Sequence, residues 1–179
     1  PEYDNEMIES KYSNLIRYIP DFPHKGIMFR DITPLLGDSR GFNSAIKDMA
    51  YPFINDRIDF VVAVEARGYI FGAPIAQELQ CGFVPVRKQG KLPWDTSQIE
   101  YSLEYGSAIL EIHKDAIKPG KNVLIVDDVL ATGGTLEATI KLIQQAEGNI
   151  TGIAVLINLI GLHPADTFDG YKFVSILDI

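Results

Sequence analysis

Two short runs of purely apolar residues, residues 60–64 and 123–126, most constrain what this chain can fold into. A strand that is apolar at every position is buried on both faces, which requires a sheet covered by helices on both sides. Helices are predicted after each run, over about 69–80 and 135–147, and the second has apolar residues at helical spacing. This alternation predicts an α/β fold with a mostly parallel central sheet flanked by helices.

The rest of the chain supplies the remaining elements. Pro85 cannot donate to a strand ladder and indicates an edge or a strand end. Residues 89–106 are polar and rich in turn residues, with glycine at both ends, and are expected to be mobile. Further helices are predicted over about 5–18 and 40–53, further strands over 83–86, 107–112, 153–160 and 173–177, and a loop or small strand outside the main sheet over 27–35.

Composition excludes several classes of protein. The chain has 179 residues, enough for one domain, and a formal net charge of −8, which argues against a nucleic-acid backbone or an anionic membrane as the main partner. No run of about 18 apolar residues is present, so no transmembrane helix is expected. The one cysteine, Cys81, cannot form an internal disulfide, and no Cys/His spacing fits a zinc site. A reducing, cytoplasmic setting is expected.

The second apolar run leads into two carboxylates and then a turn of small residues. Backbone N–H groups at the start of the following helix favour an anion, and glycines let the backbone approach a phosphate closely. The adjacent Asp127 and Asp128 repel a phosphate and suit hydroxyl donors or a hydrated Mg²⁺ instead. The sequence therefore predicts a sugar-phosphate site, with the phosphate held by Ala131, Thr132, Gly133, Gly134 and Thr135.

A second strand-to-helix turn follows the first apolar run. Arg67 stands at a helix start, where a cation opposes the helix dipole, and this unfavourable placement suggests a phosphate-binding role. Gly68 beside it allows close backbone approach. Three further cations, Arg87, Lys88 and Lys91, follow another strand end, where ligands of open α/β sheets bind. A solubilising surface run is the alternative interpretation of these three residues.

These motifs together resemble a known family. The run 123–135 is similar to the phosphoribosyl-pyrophosphate (PRPP) motif of type I phosphoribosyltransferases, and its Leu-Ala-Thr-Gly-Gly-Thr ending resembles the adenine-specific branch. Ala66, Tyr69 and Gln89 depart slightly from the expected pattern. The resemblance covers roughly residues 20–147. Residues 29–34 resemble the family's N-terminal hood, and residues 65–72 resemble its pyrophosphate loop. Residues 87–93 and 101–106 resemble the two parts of its flexible lid.

The resemblance implies a fold and an activity. It implies a single domain over 1–179, with a small hood over about 1–35 and a lid loop over about 89–106. The implied reaction joins adenine and PRPP to give AMP and pyrophosphate. It depends on Mg²⁺ held mainly by PRPP and water, with no certain protein ligand. The family is usually homodimeric, so a homodimer is expected.

The resemblance also implies a role for individual residues. Asp127 and Asp128 hold the ribose hydroxyls. A lone loop glutamate is usually only solvated, but Glu104 corresponds to the family's lid glutamate, so it is implied to be catalytic together with Arg67, with Tyr105 beside it in the lid. Adenine is implied to contact Met28, Phe29, Arg30 and Val129, and pyrophosphate to contact Glu65, Ala66, Arg67, Arg87, Lys88 and Lys91.

Two alternatives stay open on the sequence. One is a phosphoribosyltransferase for a 6-oxopurine or for orotate. A 6-oxo group needs a donor such as lysine, and no strand-borne lysine stands in the right place, so adenine is favoured. The other is a non-catalytic PRPP-binding regulator. Such a regulator usually needs a nucleic-acid module, and none is apparent in this chain.

Overall fold

A computed structural model describes residues 11–102 and 106–179 of the chain. Residues 11–13 are helical, and the first labelled elements form the hood: β1 (Arg17–Pro20), β2 (Met28–Asp31) and helix α1 (Thr33–Gly37). The helices that follow are α2 (Ser39–Ala50), a 3₁₀ turn (Tyr51–Phe53), α3 (Arg67–Glu78) and α4 (Gly134–Gln145). The strands of the main sheet are β3 (Phe60–Val64), β4 (Gly82–Lys88), β5 (Thr96–Ser102), β6 (Ser107–His113), β7 (Asn122–Leu130), β8 (Asn149–Asn158) and β9 (Lys172–Asp178).

The main sheet has seven strands in the order β5-β6-β4-β3-β7-β8-β9. The five neighbouring strands β4, β3, β7, β8 and β9 are parallel to one another. Strands β5 and β6 form an antiparallel hairpin at the edge next to β4. Alternate residues of one strand enter different cores. Val61 packs with Phe71 and Ile75 of α3, whereas Val62 packs with Leu136 and other residues of α4. The predicted α/β fold with a mostly parallel sheet covered on both faces is confirmed.

The N-terminal prediction needs one correction. The helix predicted over 5–18 ends at residue 13 in its described part, and Arg17–Pro20 is a strand instead. These four residues pair antiparallel with Met28–Asp31, a long-range contact that overrides local helical spacing. The small strand outside the main sheet, predicted within 27–35, is confirmed as β2. Residues 1–10 lie outside the described part of the chain.

Two further boundaries differ from the predictions. The segment 89–106 is not a continuous loop, because β5 pairs along its whole length with β6 and directs Ile99 and Tyr101 towards the core. Strand β7 is longer than predicted and contains Asp127 and Asp128 rather than ending before them.

Pro85 lies in the interior of β4, but the pairing of β4 with β6 begins only at Arg87, so the missing N–H of Pro85 costs no ladder bond there. Within residues 11–102 and 106–179, no helix combines the length and the apolar character needed to cross a membrane.

Candidate active site

A cavity of about 230 Å³ opens at the carboxyl ends of the neighbouring parallel strands β3 and β7. This is the edge at which open α/β sheets bind ligands. The turn from β3 into α3 forms one wall, and the turn from β7 into α4 forms the other. The lining residues are 64–68, 127–136 and Val155. The fold therefore brings together the two turns that the sequence singled out.

The wall formed by residues 131–136 is built from backbone. Gly133 precedes α4 and has φ +89°, a left-handed conformation that glycine adopts without strain. Its carbonyl accepts the N–H of Glu137 at 2.9 Å and so begins the helix, whose N-terminal N–H groups favour an anion. A Cβ at Gly133 would lie 3.4 Å from Cζ of Phe168. Phe168, in the tail for which no motif was found, thus supports this turn, and only its position in space reveals that.

The acidic pair separates the two walls. Asp128 is 3% exposed, and its Oδ2 lies 2.9 Å from Nε of Arg67, although no described residue reaches this oxygen at a hydrogen-bond angle. Desolvation and the neighbouring carboxylate of Asp128 raise the pKa of Asp127 well above its usual range. Asp128 is the more enclosed of the two carboxylates by surface area, and Arg67 lies beside it. A Cβ at Gly68 would lie 3.0 Å from Oδ1 of Asp127, so a side chain at this position would press on that carboxylate.

Glu65 gathers the predicted cations beside the other wall. Its Oε2 lies 2.8 Å from Nζ of Lys91, and its Oε1 lies 3.3 Å from Nε of Arg87. The backbone N–H of Lys88 donates to Oε1 at 2.8 Å. Desolvation opposes ionisation of Glu65, but the hydrogen bonds from Lys91, Lys88 and Arg87 outweigh it and lower the pKa to about 2. Because Glu65 lines the cavity, Arg87 and Lys91 are held at its edge, although Lys91, like Lys88, is exposed.

The hood approaches the cavity through an aromatic ring. The guanidinium carbon of Arg67 lies 5.8 Å from the ring centre of Phe29, within the range of a cation–π contact. Arg30 is directed elsewhere: its guanidinium lies 5.3 Å from the ring of Tyr18 and donates to the carbonyl of Met28. Of the predicted adenine contacts, Phe29 and Val129 therefore face the site, and the side chain of Arg30 does not.

Glu104 and Tyr105 fall outside the described residues. The residues just before them lie close to the start of α4. A Cβ at Gly134 would lie 3.5 Å from the carbonyl oxygen of Ser102 and 3.6 Å from Cδ2 of Tyr101. The end of β5 therefore lies against Gly134, near the end of the turn 131–135. Among residues 11–102 and 106–179, no group of three or more His, Cys, Asp or Glu side chains could hold a metal ion.

Comparison with known proteins gives a consistent result. The family model described as the phosphoribosyl transferase domain matches residues 36–178. The adenine phosphoribosyltransferase of Clostridium perfringens is 55% identical over 91% of this chain and 95% of its own length. That of Thermotoga neapolitana is 55% identical over 90% of this chain and 95% of its own length.

Solved structures show the same similarity. The crystal structure of adenine phosphoribosyltransferase from Thermoanaerobacter pseudethanolicus superposes with a TM-score of 0.91 at 48% identity, over 95% of this chain and 99% of that one. The enzyme from Saccharomyces cerevisiae, solved with an imino-altritol bisphosphate and adenine, gives a TM-score of 0.85 at 34% identity, over 96% and 99% of the two chains. With the paired turns and the acidic pair at the strand ends, these similarities show that the chain belongs to the phosphoribosyltransferase family, in its adenine phosphoribosyltransferase branch.

Proposed function

We propose that this chain transfers the 5-phosphoribosyl group of PRPP to adenine, forming AMP and releasing pyrophosphate. One observation carries the proposal. Two anion-binding walls of different chemistry face each other across a pair of carboxylates, and the Arg67–Asp128 ion pair spans them. PRPP has a matching layout, with a monophosphate and a pyrophosphate at opposite ends of a ribose. The relatives named above are called adenine phosphoribosyltransferases, which is the same activity.

The walls divide PRPP between them. The 5-phosphate lies in the turn 131–135, against backbone N–H groups and the hydroxyls of Thr132 and Thr135. The ribose hydroxyls donate to Asp127 and Asp128. The pyrophosphate lies against residues 65–68, where the half-exposed Arg67 can offer two parallel N–H donors, and takes further charge from Arg87, Lys88 and Lys91.

Adenine occupies the space between the hood and β7. Phe29 offers a ring face on which a purine can stack, and Val129 lines the opposite side of the cavity. Arg67 covers Phe29 in this structure, so its guanidinium turns towards the pyrophosphate when the base stacks. Backbone groups of residues 28–30 read the edge of the base.

The chemistry requires positioning and charge stabilisation rather than a covalent nucleophile. The bond between ribose C1 and the pyrophosphate oxygen breaks, the bond between C1 and adenine N9 forms, and the base loses one proton. The carboxylates of Asp127 and Asp128 lie near the positive charge that develops on the ribose, and Arg67 stabilises the leaving pyrophosphate. Glu104 accepts the proton from the base.

Magnesium fits this arrangement as a substrate-bound ion. The acidic pair provides two carboxylates that can accept hydrogen bonds from its water ligands, too few for an all-protein cage. When bound, the ion neutralises part of the pyrophosphate charge. Asp127 and Asp128 would hold it through water while Arg67 keeps its contact with the phosphate oxygens.

Further parts of the proposal concern the surroundings of the site. Although β5 within it pairs with β6, the segment 89–106 acts as a lid, and Trp94, 69% exposed, should change its emission when PRPP and Mg²⁺ bind. An unchanged spectrum at saturation would contradict the lid.

Homodimeric assembly, expected from the family, is checked by light scattering. A cytoplasmic setting suits the free thiol of Cys81 and is checked by cell fractionation.

One assay tests the proposed activity. Purified protein is incubated with PRPP and a panel of bases, with and without Mg²⁺, and pyrophosphate release and nucleotide formation are measured. We expect Mg²⁺-dependent formation of AMP from adenine, with hypoxanthine, guanine and orotate poor substrates. Equal turnover of hypoxanthine would favour the 6-oxopurine alternative. Binding of PRPP without turnover of any base would favour a non-catalytic regulator.

A further inference from the structure

The described residues contain two buried carboxylates, Asp128 in the cavity and Glu111 outside it. Glu111 is 3% exposed and lies on β6, between β4 and β5. Its Oε1 accepts a hydrogen bond from Nε2 of Gln98 at 2.6 Å, and its Oε2 accepts one from the backbone N–H of Gly90 at 3.0 Å. The proposed reaction assigns no role to this residue.

A carboxylate is a costly choice for this position. Burying a charged group is unfavourable unless donors satisfy it, and an apolar side chain of similar size often serves stability equally well. Its neighbours Leu110 and Ile112, which point to the other face of the sheet, are apolar, so Glu111 is the charged exception in the buried part of this strand. The advantage of Glu111 must therefore lie in what its two oxygens hold.

One of the groups it holds belongs to the cationic turn 87–91. Three successive backbone N–H groups of this turn have acceptors: Lys88 donates to Glu65 at 2.8 Å, Gln89 to the carbonyl of Ile109 at 3.1 Å, and Gly90 to Glu111 at 3.0 Å. Gly90 has φ +80°, a conformation that reverses the chain. Beyond it, Nζ of Lys91 returns to Glu65 at 2.8 Å.

The turn is thus fastened from two sides by two carboxylates. Glu65 holds it from the cavity, and Glu111 holds it from the sheet. The same turn carries a third link, because Nη1 of Arg87 donates to the carbonyl of Lys91 at 3.2 Å. Release of Gly90 would free the tip of the turn and allow Lys91 and Arg87 to leave the cavity edge.

We infer that Glu111 is a positioning residue for pyrophosphate binding, acting through Gly90 on the cations of the turn 87–91. The inference rests on the proposed function, because it takes pyrophosphate as the ligand of these cations. It does not require Glu111 to touch any substrate. It requires the backbone N–H of Gly90 to stay bonded while Arg87 and Lys91 engage the anion.

The experiment compares E111L with E111Q. Leucine keeps the volume but accepts no hydrogen bond. Glutamine can accept from Gly90 with its oxygen and donate to the oxygen of a flipped Gln98 amide, so it should rescue the turn. Titration with magnesium pyrophosphate should show affinity about tenfold weaker for E111L and nearly unchanged for E111Q. Adenine affinity should stay nearly unchanged in both variants.

Two further measurements separate positioning from general destabilisation. I112A creates a cavity on the same strand and should lower the melting temperature without changing pyrophosphate affinity. Hydrogen exchange by NMR should show a faster Gly90 amide in E111L and not in E111Q. If E111L does not fold, Q98L, which removes the other donor to Glu111, takes its place and should weaken pyrophosphate binding by a smaller factor.

The outcomes distinguish this inference from the proposed function. A folded E111L that binds pyrophosphate as tightly as the wild type would overturn the inference, even if the wild type forms AMP. A wild-type protein that forms no AMP would remove the proposed function. Selective loss of pyrophosphate affinity in E111L would still support the positioning role of Glu111.

Discussion

The two walls of the cavity occupy equivalent places in the fold but are built differently. The turn 131–135 presents backbone N–H groups, has a left-handed Gly133 before its helix and is supported by the apolar Phe168. The wall at residues 65–68 depends on charged side chains, with Glu65 as the shared counter-ion of Arg87 and Lys91. One wall therefore holds its shape through backbone geometry, and the other through ion pairs. The two should respond differently to substitution and to pH.

The largest effect is expected where the walls meet. Asp127→Asn and Asp128→Asn should each lower kcat/KM by about 100-fold or more, because each removes charge beside the reacting ribose. Stability should change little: Asp127→Asn relieves repulsion, and Asp128→Asn leaves Arg67 half-exposed to solvent. Activity and melting temperature are measured together, with Asp169→Asn, on the exposed loop before β9, as the control. Early melting with a fully active folded fraction would make the pair structural.

Replacing Arg67 tests the charged wall. Arg67→Ala should weaken pyrophosphate binding by about tenfold or more, because a charge-assisted contact to phosphate is lost, and should affect adenine less. Calorimetric titration with each ligand separately measures both effects. The exposed Arg40→Ala changes the net charge equally and serves as the control. Unchanged pyrophosphate affinity in Arg67→Ala would contradict the assignment of this wall.

A matched pair of glycines tests the backbone wall. Gly133 and Gly161 have φ +89° and +85°, so alanine at either position carries a similar backbone strain of about 1–2 kcal/mol. Of the two, only Gly133 lies in the turn 131–135, the proposed phosphate site. Gly133→Ala should weaken PRPP binding by up to about tenfold, whereas Gly161→Ala should lower stability alone. Equal PRPP affinities in the two variants would show that the shape of this turn does not determine phosphate binding.

The smallest effect concerns the pH dependence of the charged wall. The pKa of Glu65 is about 2 in the folded chain, below its ordinary value of 4.5. Its stabilising contribution is therefore fully present above about pH 4.5 and is lost as the pH falls towards 2. Arg87 and Lys91 are partly exposed, so water screens their ion pairs with Glu65. The contribution of Glu65 to the free energy of unfolding is therefore about 1 kcal/mol.

Denaturant unfolding of the wild type and of Glu65→Gln checks this expectation. The difference in free energy of unfolding should be largest at neutral pH and should shrink as the pH approaches 2. Thr151→Val, which alters a neutral side chain, should show no such trend. A difference between wild type and Glu65→Gln that is the same at all pH values would indicate that shape, and not charge, holds this wall together.

Local patterns in the sequence determined the parallel sheet and the two turns. Residues 60–64 and 123–126 are apolar at every position, and such strands require cover on both faces whatever else the chain does. The acidic pair and the glycine turn are contiguous, so their chemistry is readable without a fold. Resemblance to a family then assigned Phe29 and Glu104 to the site; Phe29 lies at the cavity, and Glu104 falls outside the described residues.

Tertiary structure decided the features that depend on residues far apart in the chain. β1 and β5 are strands because partners elsewhere pair with them, although their local sequence suggested a helix end and a loop. Phe168 supports Gly133, and Glu65, which lines the cavity, holds Arg87 and Lys91 beside it by ion pairs. Glu111 reaches Gly90 across 21 positions. Periodicity and spacing report on neighbours along the chain, whereas these contacts form only when the sheet has brought distant residues together.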